Sequence, residues 1–425
     1  MTIEPAEAPA PVLQPVASSE RVELIDVVRG LALFGILAAN IRGFAGPAVT
    51  YYAMPHLYWP ALHDRIAQAF IDTFIQAKFI TIFAFLFGVG FAVQLQRATG
   101  RGGRFGWTFA RRLFVLALFG LVHGLLIWFG DILLVYALTG FVLLLFRKRT
   151  DKTIAVWALV CYLLLPLAGI AGYVAWTHGF ATPSFPQPEQ AELLRLTRVF
   201  GDGSWMEIQK QRMSDVVAYN WGYFLVFFWQ ILGLFLLGVL AWRKRFFTPA
   251  PESLPRYRRA MVWGLAAGVT GNIAVTALRW AFDPRPFPST PISLTLALTQ
   301  TIAVPMLSLG YVCLAIVLMH DPAWHARLRR FGYVGRTALT NYLLQSILGT
   351  LIFYSYGLGL FGTVGPSVLI VATVVIFALQ VYASGCWLER FRFGPVEWLW
   401  RRLTYKGPLP MVREAPVATA DAAPA

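Results

Sequence analysis

The 425-residue chain is 57% hydrophobic and only 13% charged, with a mean hydropathy of +0.60, which excludes an ordinary soluble enzyme of two or three domains. Its net charge of +15 does not mark a nucleic-acid groove, because the basic residues lie in short loops between apolar runs. The three cysteines fall singly inside apolar runs, with neither metal-ligand spacing nor a disulfide framework, so no metal site is expected.

Residues 1–22 read as a Pro/Ala-rich acidic tail without the basic stretch of a signal peptide, and 406–425 have a similar composition. Both are expected to be disordered. Between them, 23–405 reads as an all-α, polytopic membrane domain of about ten spans, its partner the lipid bilayer. The apolar runs are Leu24–Phe44, Phe79–Leu95, Leu113–Trp128, Ile132–Phe146, Thr153–Trp176, Tyr219–Trp242, Met261–Trp280, Ile292–Met319, Thr337–Tyr356 and Pro366–Leu388. An amphipathic approach, Ile66–Lys78, precedes the second run. Every second loop is basic: Arg97–Arg112, Arg147–Lys152, Arg243–Arg259, Arg327–Arg336 and Arg390–Lys406. By the positive-inside rule these loops and both termini face the cytoplasm, so loops 45–77 and 178–218 lie outside. In the second of these, Glu192, Arg195 and Arg198 are spaced for a helix that Gly201-Asp202-Gly203 interrupts, which suggests a small outer cap. Aromatics near span ends, such as Trp59, Trp128 and Trp221, read as interfacial anchors.

The third and fourth runs form a helical hairpin whose arginine ends lie on the same side. His123 falls roughly 16 Å of helical rise beyond Arg112, near the middle of a hydrocarbon core about 30 Å thick. An ionisable residue at that depth marks a candidate site, the alternative being a neutral histidine satisfied by a hydroxyl or carbonyl of a neighbouring helix. Asp131 follows after about 12 Å more, at the far surface if the helix is regular. The two then meet only through a break at Gly130, a water or a substrate.

Asp26 and Arg29 share a helix face near the cytoplasmic boundary, either as a structural ion pair or with Arg29 holding a phosphate or carboxylate. Asn40 lies at the opposite end of that helix. Lys78 opens the second run, either snorkelling to the outer interface or facing the site. Asn341 and Gln345 are four residues apart in a polar span with Thr337, Thr340 and Ser346, as interhelical glue or as a site wall. Glu397 and Arg401 suit a helix lying on the inner surface. No GxGxxG, Walker, HExxH or nucleophile-elbow motif occurs, so any chemistry is built from dispersed residues.

Taken together, Asp26-Val-Val-Arg29-Gly30, the KF…LFG phrase, RRL…HG…GDIL..Y, GRTALTNYLLQS and GPVEWLWR resemble the YeiB family, a bacterial inner-membrane family described as a domain of unknown function. The resemblance runs from about Leu24 to about Tyr405. That family is similar to transmembrane acyltransferases, including heparan-glucosaminide N-acetyltransferase and the sugar O-acyltransferases, through the D..RG phrase of the first span. The resemblance implies transfer of an acyl group from cytoplasmic acyl-CoA, a cosubstrate rather than a tightly held cofactor, to a small-molecule hydroxyl or amine outside. His123 would be the base or acyl carrier and Asp131 its orienter, with Arg29 and Arg112 on CoA phosphates and Asn341 and Gln345 on the carbonyl or acceptor. The broader group's histidine near the outer end of span one has no counterpart. Asn40 stands there, and His56 and His63 of the next loop are outside the family pattern. The alternative is a proton-coupled transporter with His123, Asp131 and Asp26 as a relay, although the two halves of the chain show no internal repeat.

Overall fold

The computed structural model describes residues 22–47, 58–100, 105–179, 190–217, 221–282, 290–405 and 408–413. The described residues are helical, apart from turns and one isolated bridge between Phe391 and Val412. Seven helical segments are long and apolar enough to cross a membrane, and three shorter apolar helices accompany them, at the places where the apolar runs lie.

In chain order, α1 is Glu23–Ala45, α2 Leu62–Phe70, α3 Lys78–Gly100, α4 Phe105–Val122, α5 Leu133–Leu143 and α6 Asp151–Thr177. Next come α7 Gln190–Gly201, α8 Trp205–Asp215, α9 Trp221–Arg243, α10 Leu254–Phe282 and α11 Pro291–Met319. The chain closes with α12 Pro322–Leu328, α13 Phe331–Arg336, α14 Ala338–Phe353, α15 Pro366–Arg390 and α16 Pro395–Thr404.

Burial sorts these helices into centre and periphery. The apolar stretch of α1 is 67% buried and that of α6 only 17%, so α1 is the axis and α6 turns its leucines outward. Leu159 and Leu167 are exposed at positions where water would penalise them and lipid would not. Lipid tails supply no hydrophobic drive between helices, so contact depends on close backbone approach. At the α1–α13 crossing, a Cβ on Gly30 would run into the Phe331 carbonyl and one on Gly335 into the Asp26 carbonyl. Arg29 bonds Asp26 at 2.8 Å and the Gly335 carbonyl at 3.2 Å across the same crossing.

Four expectations are corrected. Part of the segment 45–77, expected as a loop, is helix: α2 packs on α15, and Asp64 accepts from Ser367 N at 2.9 Å, capping that helix. Residues 408–413 of the expected tail return to the body, where Arg392 N donates to Met411 O at 2.8 Å and Trp398 Nε1 to Leu409 O at 3.0 Å. Glu397 does not lie on the surface beside Arg401. It is buried and accepts from the N–H groups of Leu339 and Thr340 at the start of α14. Trp128 is not an interfacial anchor but a core residue, its ring centroid 4.2 Å from that of Phe44. The segment 190–217 carries two helices, α7 and α8, with the break at Gly201–Gly203 and an Arg195–Glu192 bond of 2.7 Å.

Candidate active site

The hairpin carrying His123 is not regular. Residues His123–Ile127 form a π-turn in which Trp128 N donates to His123 O at 2.9 Å, and Trp128 then turns extended (φ −154°, ψ 131°). The chain reverses at once, two residues before Gly130, where the sequence suggested a break. Asp131 therefore folds back beside His123, whose Nδ1 lies 2.8 Å from Asp131 Oδ1. The expectation that about 12 Å separates them is corrected, because that arithmetic assumes an unbroken helix. π-turns of this kind mark functional positions more often than ordinary helix does.

Each end of the break is held. Asp131 Oδ2 accepts from Leu134 N at 2.7 Å, capping α5 and fixing the carboxylate plane. The carbonyls of Leu125 and Leu126, freed where the helix stops, are taken by Gln209 Nε2 and by Arg212 Nη1 (2.7 Å), both from α8. The helix α8 thus supplies the donors that the broken helix needs in a dry environment.

The third member is Ser346 on α14, whose Oγ lies 2.8 Å from His123 Nε2. Side-chain exposure of His123 and Asp131 is 1% and 0%, and Ser346 is equally enclosed. A carboxylate accepts hydrogen bonds only, so it selects the Nδ1–H tautomer and leaves the Nε2 lone pair facing the serine hydroxyl. Tyr342, one helical turn before Ser346, places its ring centroid 5.1 Å from the imidazole, and its hydroxyl 3.4 Å from Ile132 N. Trp128 flanks the other side at 6.4 Å, its indole N–H buried without a hydrogen-bond partner.

The remaining sequence candidates are placed elsewhere in this frame. Asn341 Nδ2 donates to Thr337 O (3.0 Å), Thr337 Oγ1 (2.8 Å) and Ser384 Oγ (3.0 Å). Gln345 Nε2 donates to Gln380 Oε1 (2.9 Å), and Gln380 Nε2 donates in turn to Asn341 O (3.1 Å). These side chains clasp α14 to α15 and hold the helix that presents Ser346. Arg112 stacks on Trp400 at 3.6 Å, and Trp400 Nε1 donates to the Arg112 carbonyl. Lys78 does not snorkel: it is fully buried and donates to Asp72 O at 2.8 Å. Asp26 and Arg29 pair at the α1–α13 crossing. Asn40 is half-buried two residues before Arg42. His63 is exposed, and His56 lies outside the described residues.

Sequence reasoning saw the Ser346 hydroxyl but did not join it to His123, 223 residues away. It also did not find the role of Glu397. Through α16, Glu397 caps α14 while Trp400 holds α4, so one short helix ties together the two helices that carry Ser346 and His123. Burial raises the Glu397 carboxyl above the usual range, against the opposing hydrogen bonds from Thr340 and Leu339.

These features define a multi-pass helical membrane protein with a buried Asp–His–Ser chain at a broken helix. The family profile described as "Protein of unknown function (DUF418)" matches residues 241–407, which include Tyr342, Ser346 and Glu397. The uncharacterized protein YxaH of Bacillus subtilis (strain 168) is 36% identical over 95% of this chain and 99% of its own length. The uncharacterized protein YeiB of Escherichia coli (strain K12) is 32% identical over 92% of this chain and 98% of its own. The chain belongs to the YeiB family of DUF418 membrane proteins.

Proposed function

We propose that this protein is a membrane-embedded acyltransferase in which His123 is the general base. The supporting observation is the hydrogen-bond chain Asp131–His123–Ser346, with both links at 2.8 Å. An imidazole oriented by a carboxylate and facing a hydroxyl is the arrangement that removes a proton from an attacking oxygen. Acyl-CoA as donor and a hydroxyl or amine of a small molecule as acceptor follow from the likeness to membrane acyltransferases. On this reading the donor is cytoplasmic and the acceptor lies at the outer face of an inner membrane, an orientation that the arginine-rich loops support. Arg112 and Arg29, near the basic loops, would meet the CoA phosphates. Asn341, Gln345 and Lys78 would act by position, holding α14 and the start of α3. The test is CoA release from a panel of acyl-CoAs by protein in nanodiscs. His123→Ala and Asp131→Asn are expected to abolish release in protein that still folds. No release by the intact protein from any acyl-CoA rejects this reading.

A second reading, proton-coupled transport, has one observation in its favour. The segment Leu62–Ala98 is also broken, at Gln76 and Ala77, beside the buried Arg42 and Lys78. Broken helices with ionisable residues at the break are common in transporters. Proton flux in proteoliposomes that is lost in His123→Ala, without CoA chemistry, would select it.

A further inference from the structure

We propose that Ser346 is the nucleophile of this site and carries the acyl group as a serine ester between donor and acceptor. For its donor, this inference rests on the acyl-transfer reading above.

A serine hydroxyl is a weak nucleophile at neutral pH unless a base, itself oriented by a third group, stands within hydrogen-bond reach. Here Ser346 Oγ is 2.8 Å from His123 Nε2, and His123 Nδ1 is 2.8 Å from an Asp131 carboxylate fixed by Leu134 N. Such a triad is recognised by geometry and roles, whatever fold presents it. The helices of this protein supply an internal control. A hydroxyl with only a packing role in a membrane helix bonds the carbonyl four residues back. Thr373 does so at 2.8 Å, Thr299 at 2.8 Å and Thr301 at 3.0 Å. Ser346 stands 3.5 Å from the corresponding Tyr342 carbonyl and is drawn to the imidazole instead. Two donors flank the serine's base: the Trp128 indole N–H, which has no hydrogen-bond partner, and the Tyr342 hydroxyl, held only at 3.4–3.5 Å.

In the first half-reaction, Ser346 Oγ attacks the thioester carbonyl. A C–O bond forms and the C–S bond breaks, while the hydroxyl proton passes to His123 Nε2 and then to the departing sulfur, releasing CoA thiol. In the second, an acceptor hydroxyl attacks the serine ester. Its proton passes to Nε2 and on to Ser346 Oγ, restoring the serine and leaving the ester on the acceptor.

The experiment treats the full chain in nanodiscs with a small alkyl fluorophosphonate, without acyl-CoA, and maps the adduct by peptide mass. Wild-type protein is expected to be labelled at Ser346, Ser346→Ala to lose that adduct, and His123→Ala and Asp131→Asn to label about 10²-fold more slowly. Melting temperature and size-exclusion profile confirm that each variant folds. Folded wild-type protein that stays unlabelled at Ser346, or labelling that ignores His123, overturns the proposal. CoA release separates the two levels of inference. Release at the wild-type rate from Ser346→Ala overturns the covalent step and leaves acyl transfer standing. Ser346 labelling without release from any acyl-CoA removes the CoA donor and leaves the nucleophile.

Discussion

The molecule breaks two of its helices in the same way and fills the breaks differently. At Ile71–Ile75 and at His123–Ile127 a π-turn closes with one long-range bond, Gln76 N to Ile71 O (2.8 Å) and Trp128 N to His123 O (2.9 Å). The following residue leaves the helix in both, Gln76 at φ −53°, ψ 126° and Trp128 at φ −154°, ψ 131°. The C-terminal end of α1 serves both: Arg42 reaches the first break and Phe44 packs on Trp128 of the second. The first is an ionic knot. Asp72 accepts from Arg42 (3.0 Å) and Gln68 (3.0 Å), Arg42 also bonds Gln76 (2.6 Å), and Lys78 covers the Asp72 carbonyl. The second is a chain of groups that can pass a proton to or from a hydroxyl. A broken helix needs its freed polar groups satisfied wherever it lies in a membrane, and both breaks meet that demand. Only the second sets an imidazole beside a hydroxyl. A break alone therefore does not bring such groups together.

The largest effect that sharpens this contrast is on turnover. Asp131→Asn is expected to lower CoA release by about 10³-fold or more, because an amide can select the wrong imidazole tautomer, while melting shifts little. Asp72→Asn is expected to do the reverse. Replacing the carboxylate beside a buried guanidinium by a neutral amide costs about 3 kcal/mol in reversible unfolding, with turnover per folded molecule within tenfold of wild type. Lost turnover at full stability in Asp72→Asn would break the contrast and draw the first break into the chemistry. Arg212→Ala comes next. It leaves the Leu126 carbonyl without its donor, for about 2 kcal/mol of stability, and loosens His123 enough to lower turnover about tenfold.

The smallest effect is the pH response of the α16 clamp. The folded-state pKa of Glu397 is raised by burial, so its contribution is fullest below the unfolded value of 4.5 and is lost as pH rises through the folded value. Melting temperature is expected to fall over that interval in the wild type. The slope should flatten in Glu397→Gln, which keeps an acceptor for Leu339 and Thr340 without the ionisation. An unchanged slope in that variant would assign the dependence to another group.

Composition and hydropathy periodicity by themselves determined the all-α membrane class and the apolar helices. Those are local properties, set by how a backbone satisfies itself in lipid and by where charge is tolerated. The sequence also marked the α14 polar face, because five hydroxyl and amide side chains within ten residues are unusual for a span. What joins these features was decided by tertiary structure alone. The turn HGLLIWFGD contains no proline, and a regular helix keeps His123 and Asp131 apart. The π-turn persists because Gln209 and Arg212, more than eighty residues away, satisfy the carbonyls it frees. Ser346 meets His123 only because the Asn341–Ser384 and Gln345–Gln380 bonds hold α14 to α15 while Glu397 caps its start. Such contacts depend on polar satisfaction across helices in a dry interior, which no single-segment periodicity encodes.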